Sequence, residues 1–362
     1  MAAEKQHDRR ASIESLVRYL CSAECAGRAP GTPGGMAARA RIVREFERAG
    51  VEPAGTDGYL QAVPDCGANI LSRIEGSGDL AERAILVAAH YDHLGTARDG
   101  QAFWGADDNA AAVAILIDVA QTLVKRSDDL DRQVILASFD GEEPPHFLDD
   151  TMGSIHYVRY PTVPIDQIDT MICMDLVGHA LGPPGFPDSV RQTLMVLGAE
   201  LSLGTGELVE RVAVRARGVI PRRLHLDVVP PMSDYYAFRR AGVPVLFLTC
   251  GRWQHYHQIT DTPEKLDYDK IVATADFLAE LVVELSIRPE FLVDIDESGR
   301  DDATSVATIR DLATEMAAFV PDIAVALPAL EALAEEAAQG PLTAEKRHLL
   351  AALLLEFESA LA

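Results

Sequence analysis

The 362-residue sequence predicts an α/β protein with a largely parallel or mixed central sheet. Two observations carry this prediction. From about residue 69, short apolar runs alternate with helical segments, and several of these runs are apolar throughout. A strand is apolar throughout when helices cover both faces of its sheet, whereas a strand with one exposed face alternates apolar and polar residues. The pattern therefore indicates a βαβ rhythm around one sheet.

The individual elements follow from local patterns. Two helices are expected between about residues 9 and 50, separated by the glycine- and proline-rich stretch G-R-A-P-G-T-P-G-G. The predicted strands are, in order, 84–90, 133–139, 170–175, 224–229 and 244–249. The predicted helices that alternate with them or follow them are 109–126, 152–160, 189–203, 233–241 and 267–287.

The last sixty residues have a different composition. From about residue 300 the chain is rich in Ala, Leu and Glu, with apolar residues at helical spacing and breaks at Pro321, Pro328 and Gly340. This pattern predicts two or three amphipathic helices. They either pack against the main domain or mediate self-association, which would make the protein a homo-oligomer.

The charge balance excludes two classes of partner. The net charge is -24, from 56 acidic and 32 basic residues, whereas nucleic acid and anionic membranes require a basic surface. A cationic group such as a peptide N-terminus is compatible with this charge. We also find no apolar run of the roughly 20 residues that spans a bilayer and no signal-peptide pattern in the charged N-terminus. We therefore expect a soluble, cytoplasmic protein whose five cysteines are reduced and mostly buried.

Five scattered motifs each offer one metal-type ligand. Two neutral imidazoles and three carboxylates suit two zinc-like ions, because such cations accept His nitrogen and carboxylate oxygen together. The candidate ligands are His90 in A-H-Y-D-H, Asp108 in G-A-D-D-N, Glu143 in D-G-E-E, Asp175 in C-M-D-L-V-G and His257 in Y-H-Q-I-T-D-T. Three of these residues end or follow apolar strands, where sites of open α/β sheets collect.

Three further residues are candidates for roles beside the metals. Glu142, adjacent to a ligand, is placed to accept the proton of an attacking water. Asp92, two residues after His90, is a candidate to hold the second ring nitrogen of that histidine. Tyr256 could donate a hydrogen bond to an oxyanion, although an aromatic residue there is also compatible with packing. Asp108, in a rigid turn before a helix, is the predicted bridging ligand.

Asp234 and seven of the eight remaining histidines receive no catalytic or ligand role from the sequence. The motif S-D-Y-Y-A-F could place Asp234 near the predicted site, and the role of this residue is left open. Seven histidines show no ligand-like context and are expected to be structural or on the surface. They are His7, His93, His146, His156, His179, His225 and His255.

Taken together and in this order, the motifs H-Y-D-H, G-A-D-D-N, D-G-E-E, M-D-L-V-G, S-D-Y-Y-A-F and Y-H-Q-I-T-D-T resemble those of the co-catalytic di-zinc aminopeptidases. That family also contains glutamate carboxypeptidase, glutaminyl cyclase and transferrin-receptor branches. The resemblance covers about residues 25–287. It implies a three-layer α/β/α sandwich around a mixed, mainly parallel, eight-stranded sheet. Together with the change in composition near residue 300, it predicts a catalytic domain of residues 1–295, on which the N-terminal helices 9–50 pack, and a C-terminal helical extension of residues 296–362.

The resemblance also implies roles for the individual residues. One Zn²⁺ would be bound by His90 and Asp175 and the other by Glu143 and His257, with Asp108 bridging, although the native metal could differ. Glu142 would be the general base, Asp92 would orient His90, and Tyr256 would polarise the scissile carbonyl. The implied activity is an aminopeptidase that acts on short peptides.

Departures from the family pattern leave alternatives open. The loop E-E-P-P-H-F-L-D-D-T-M-G-S is longer than the E-E-x-G-x-x-G-S loop of ordinary aminopeptidases, which puts the substrate specificity in doubt. A lengthened loop also occurs in the glutaminyl cyclase branch, which uses one zinc ion. Against that branch, Tyr256 stands where cyclases tend to have Trp. A catalytically silent scaffold is the third possibility, and the retained ligands and base argue against it.

Overall fold

The computed structural model describes residues 2–289 and 301–361. Its nine strands form one sheet in the order β1-β3-β5-β4-β6-β9-β7-β8, and β2 pairs with β3. The strands are β1 Glu52–Pro53, β2 Leu60–Val63, β3 Gly67–Ile74, β4 Ala84–His90, β5 Gln133–Phe139, β6 Ile168–Met174, β7 Thr193–Leu197, β8 Ile220–Leu224 and β9 Val245–Thr249. Four adjacent central strands, β5, β4, β6 and β9, are parallel, whereas β3 and β7 join this centre antiparallel.

Helices cover both faces of the sheet, as its apolar strands require. The helices are α1 Ala2–Leu20, α2 Pro33–Ala49, α3 Ala111–Val124, α4 Gly153–Arg159, α5 Asp188–Arg191, α6 Thr205–Ala213, α7 Tyr235–Arg240, α8 Tyr268–Ser286, α9 Asp302–Met316, α10 Pro321–Ala324, α11 Leu327–Ala337 and α12 Ala344–Leu361. One apolar core joins the sheet to α1, α2, α3, α6 and α8. A second core joins its other face to α4, α7 and the four C-terminal helices. The predicted α/β fold with helices on both sides of a mixed sheet is confirmed.

Two of the predicted elements are wrong in type. The segment predicted as a helix over 189–203 contains β7, whose residues T-L-M-V-L are all buried between β9 and β8. A short apolar run fits a buried strand and a buried helix equally well, so periodicity could not separate them. The segment predicted as a strand over 224–229 is not one, because the observed strand β8 ends at Leu224. A short 3₁₀ turn follows, and the side chain of His225 accepts a hydrogen bond from the backbone N–H of Asp227 there.

Strands at one side of the sheet were not predicted. β1 and β2 pair antiparallel with β3. With two and four residues they are too short for a period to be visible. With them the sheet has nine strands, where the family resemblance implied eight. Among residues 2–289 and 301–361, none of the helices combines the length and the apolar character needed to cross a bilayer.

The C-terminal helices pack on the main domain. Ile309 of α9, Leu330 of α11 and Phe357 of α12 are buried in the same core as Phe247 of β9. This packing agrees with one of the two expected arrangements, while self-association through these helices remains a prediction. The predicted boundary between residues 295 and 296 lies outside the described residues.

Candidate metal centre

The carboxyl ends of the central parallel strands place four of the five candidate ligands at one edge of the sheet. His90 is the last residue of β4, and Asp175 directly follows β6. Glu143 lies in the loop after β5, and His257 lies in the loop between β9 and α8. Asp108 comes from the turn that precedes α3, on the same side. All five predicted ligands are therefore brought together.

Two of the carboxylates lie beside the Nε2 atom of His90. This atom is 3.4 Å from Oδ1 of Asp108 and 3.5 Å from Oδ1 of Asp175. The side chain of His90 is fully buried, and those of Asp108 and Asp175 are nearly so. These three atoms could hold one ion.

A second set of donor atoms forms around His257. Its Nε2 atom lies 3.3 Å from Oδ2 of Asp108 and 3.1 Å from Oε2 of Glu143. The two oxygens of Asp108 thus face different histidines. This is the arrangement that a bridging carboxylate requires, and it supports the bridging role predicted for Asp108.

The spacing of these donors fits zinc. Zinc bonds to nitrogen and oxygen are about 2.0–2.1 Å long, so neighbouring donors in a tetrahedral site lie about 3.3 Å apart. The four separations between the two histidine Nε2 atoms and their neighbouring carboxylate oxygens range from 3.1 to 3.5 Å. Among the described residues, His90 Nε2, Asp108 Oδ2 and Asp175 Oδ1 are also buried without a hydrogen-bond partner. Buried polar atoms need partners, and cations would supply them.

His93 belongs to the site although its sequence context does not indicate this. Its Nδ1 atom is 2.7 Å from Oε1 of Glu143, the oxygen that faces away from His257, and 3.8 Å from Asp108. His93, Asp108 and Glu143 together form a group with metal-ligand spacing. The expectation that His93 is merely structural or exposed is therefore corrected. Its place three residues after His90 in H-Y-D-H was the available signal.

Asp92 holds the loop of the two glutamates. Its two carboxylate oxygens accept hydrogen bonds from the backbone N–H groups of Glu142 and Glu143, at 3.1 and 3.0 Å. Its Oδ1 atom is also 3.6 Å from Nδ1 of His90, which is too long for a strong hydrogen bond. Asp92 therefore positions the backbone beside the predicted base and ligand, while its predicted role of orienting His90 stays a prediction.

The turn that carries Asp108 is held from three sides. Asp261 accepts hydrogen bonds from the backbone N–H groups of Asp107 and Asp108. The carboxylate of Asp107 binds the Nδ1 atom of His179 at 2.7 Å, and the Asn109 amide donates to the carbonyl of Met174. Asp107 and Asn109 therefore support the turn, as the sequence indicated.

A glycine is required where this turn begins. Gly105 has a φ angle of 56°, and a Cβ atom there would lie 2.3 Å from the Asp108 carbonyl oxygen and 2.5 Å from the His93 ring. Glycine alone tolerates both this backbone conformation and this close approach. The contact explains why the motif G-A-D-D-N begins with glycine.

Glu142 lies next to the ligand atoms but is not hydrogen-bonded to them. Its Oε2 atom is 3.7 Å from His90 Nε2. Burial raises the pKa of Glu142 well above its usual range; His90 opposes this shift, and the carboxylates of Asp175, Glu143 and Asp234 add to it. A carboxyl group with a raised pKa is a better proton acceptor than an ordinary one.

Asp234 lies inside this cluster of acids. It is fully buried, and neither of its side-chain oxygens has a hydrogen-bond partner among the described residues. Burial raises its pKa to about 7; attraction to His90 opposes the shift, and Asp92 and Asp175 contribute to it. Its position explains the signal in S-D-Y-Y-A-F, whose role the sequence left open.

Tyr256 lies at the more exposed side of the centre. Its ring stacks on His257, with centroids 3.9 Å apart and planes inclined by 20°. Burial raises the pKa of Tyr256, and the negative charges of Asp108 and Asp175 add to this shift. The phenol therefore keeps its proton and remains a hydrogen-bond donor.

Metal binding to the metal-free protein is expected to release protons at neutral pH. Burial alone would lower the pKa of His257, but hydrogen bonds and attraction to Asp108 and Glu143 outweigh it and raise the pKa to about 10. The imidazole is therefore protonated at pH 7 and must lose its proton to become a ligand.

Calorimetric titration with Zn²⁺ in buffers of different ionisation enthalpy measures this release. We expect at least one proton per chain at pH 7 and a smaller release as the pH approaches 10. A binding enthalpy independent of the buffer at pH 7 would contradict this assignment.

Comparisons with known proteins agree with the fold and the motifs. Glutaminyl-peptide cyclotransferase of Bos taurus is 28% identical over 293 residues, which cover 71% of this chain and 78% of that protein. LapB of Legionella pneumophila has a similar structure, with a TM-score of 0.62 and 17% identity over 77% of this chain and 72% of LapB. Glutaminyl cyclase of Porphyromonas gingivalis also has a similar structure, with a TM-score of 0.58 and 19% identity over 76% of this chain and 98% of that protein. The sequence profile of peptidase family M28 matches residues 69–282, and the chain therefore belongs to peptidase family M28.

Proposed function

We propose that this chain is a two-zinc aminopeptidase that removes the N-terminal residue of short peptides. The observation that supports this proposal most strongly is the position of the Asp108 carboxylate between His90 and His257. One oxygen faces each histidine, and each histidine has a further carboxylate beside it, Asp175 or Glu143. Two equivalent donor sets joined by one carboxylate suit two ions better than one.

The metals would supply part of the chemistry. Two zinc ions held here would lower the pKa of a water molecule and polarise the scissile carbonyl. His90 and Asp175 would hold one ion, Glu143 and His257 the other, and Asp108 both.

The protein side chains would move the proton and hold the substrate. Glu142 would accept a proton from the attacking water and return it to the leaving amine. Its raised pKa, caused first by burial, suits this exchange. Tyr256 would donate a hydrogen bond to the oxygen on which negative charge develops. Asp92 would hold the backbone of Glu142 and Glu143 in position by accepting their two N–H hydrogen bonds.

The substrate is proposed to enter beside His257. The His257 side chain is 29% exposed, whereas those of the other ligands are at most 10% exposed, so the centre is most accessible there. The net charge of -24 would attract a protonated peptide N-terminus. We retain the cytoplasm as the proposed location, because the five cysteines are free and buried and reduced thiols are typical of that compartment.

A second candidate function is the cyclisation of N-terminal glutamine. It is favoured by the cyclotransferase of Bos taurus at 28% identity and by the long loop after Glu143. This reaction releases ammonia and leaves the peptide chain intact. A single ion and the same base would serve it.

A peptide with N-terminal glutamine separates the two activities in one assay. We expect mass spectrometry to show free glutamine and a peptide one residue shorter, and a leucine-initiated peptide to be cleaved as well. Loss of ammonia from an intact peptide, with no cleavage of the leucine peptide, would show that the protein cyclises N-terminal glutamine and is not an aminopeptidase. Neither product, over a panel of N-terminal residues, would favour the silent scaffold.

A further inference from the structure

Arg28 occupies an unusual position in the G-R-A-P-G-T-P-G-G segment between α1 and α2. Its side chain is 0% exposed. A run of left-handed residues turns the chain inward here, with φ angles of 45° at Ala26, 74° at Gly27 and 40° at Arg28. A Cβ atom at Gly27 would lie 2.1 Å from the carbonyl oxygen of Gly95. Non-glycine residues adopt this conformation only when their surroundings require it.

The guanidinium group of Arg28 is saturated by backbone carbonyls. Its Nε atom donates to Tyr91 at 2.8 Å. One Nη atom donates to Leu20 and Trp104, at 3.2 and 2.6 Å. The other donates to Gly105 and Asp108, at 2.6 and 3.1 Å. Arginine has five N–H donors in a planar fork, so each of them has one carbonyl.

Four of these five carbonyls belong to the segments that carry His90 and Asp108, and the fifth, that of Leu20, belongs to α1. Tyr91 directly follows His90, and Trp104, Gly105 and Asp108 lie in the turn that ends with the bridging ligand. Arg28 thus fastens the His90 segment to the Asp108 segment. The loop that carries Glu143 is held by a different group, because Asp92 binds the backbone of Glu142 and Glu143.

We propose that Arg28 is a positioning residue that sets the distance between His90 and Asp108, and that its loss weakens the His90-side ion before the His257-side ion. The inference rests on the proposed function, because it assumes two ions. Two of the three ligands of the first ion, His90 and Asp108, come from segments that Arg28 holds. Of the three ligands of the second ion, only Asp108 comes from a segment that Arg28 holds. The asymmetry distinguishes positioning from general support of the fold.

Arg28→Lys tests the inference. Lysine keeps the charge but has three donors on a single nitrogen and cannot reach five separate carbonyls. Arg132→Lys is a matched control, because Arg132 is 2% exposed and binds Asp169 and the Ser286 carbonyl, away from the ligand segments. The readout is titration of the metal-free proteins with Co²⁺, followed by d–d absorbance and thermal unfolding.

We expect one ion to bind Arg28→Lys nearly as in the parent and the other about 10- to 100-fold more weakly, the range for groups that orient metal ligands. Arg132→Lys should lower the melting temperature yet bind both ions as the parent does. Unchanged affinities in Arg28→Lys, or equal weakening of both ions, would overturn the inference. If the parent protein binds only one ion, the two-zinc function is contradicted whatever Arg28→Lys does. In that case, an unchanged affinity of Arg28→Lys for the single ion would still overturn the positioning role of Arg28.

A second measurement covers the case in which Arg28→Lys does not fold. Arg28→Ala leaves a cavity of the shape of the lost side chain, and millimolar, non-denaturing guanidinium should restore Co²⁺ binding to the refolded protein. Ammonium at the same concentration should not restore it, because it lacks the planar fork. Equal restoration by the two cations, or by neither, would contradict a positioning role for the guanidinium group.

Discussion

Replacing Glu142 with glutamine is expected to lower kcat by about a hundred- to ten-thousand-fold, the contribution typical of a general base. The amide has nearly the same shape as the carboxyl group but cannot accept the water proton. Glu142 is assigned no metal, so both ions should remain. Steady-state kinetics with an aminoacyl chromogenic substrate measure the first effect, and elemental analysis measures the second.

The control for this substitution is Glu200→Gln. The side chains of Glu142 and Glu200 are both 8% exposed, but Glu200 lies beside His225, outside the metal centre. Its substitution should leave kcat close to the parent value, because the Glu200 carboxylate contacts His225 and the backbone of Leu226 rather than a proposed ligand or the base. If Glu142→Gln keeps substantial activity while retaining its metal, another group must be the base.

Asp108→Asn is expected to affect both ions together. The amide is neutral and offers one oxygen, so it cannot join His90 to His257 through two oxygens as the carboxylate does. The loss of a bridging ligand should reduce the zinc content and lower kcat/KM by at least about a thousandfold, since metal-ion catalysis contributes several kcal/mol. Zinc content and kinetics after dialysis against a weak chelator measure both effects.

Asp118→Asn is the matched control for that experiment. Asp118 is also a buried aspartate, 6% exposed, but it lies on α3 and pairs with Arg9. Its substitution should lower stability while zinc content and kcat/KM stay close to the parent values. Full zinc content and activity in Asp108→Asn would show that Asp108 does not bridge the ions.

Much of the fold follows from local patterns, because the central strands are apolar throughout. The bounds predicted for β4 and β5, 84–90 and 133–139, agree with the structure. Helices α3 and α8 were predicted to within two residues at each end. β7 was not predicted as a strand, because its five buried residues gain their strand pairing from β8 and β9, which lie further along the sequence.

The candidate site was predictable to the extent that its residues lie in recognisable motifs. The five ligands and Glu142 each stand in a short motif, and the strand ends explain why they meet. The contribution of Arg28 could not be read in the same way, since its five contacts are with backbone carbonyls, which carry no sequence signal. Asp261 is a similar case, because its carboxylate binds the backbone of residues more than 150 positions away.

The number of zinc ions per chain tests the central claim most directly. It should be measured by elemental analysis on protein purified without added metal and dialysed to remove loosely bound ions. A bridging Asp108 with a histidine on each side predicts a value close to two. A value close to one in active protein would contradict the two-zinc centre and favour the single-ion cyclisation chemistry.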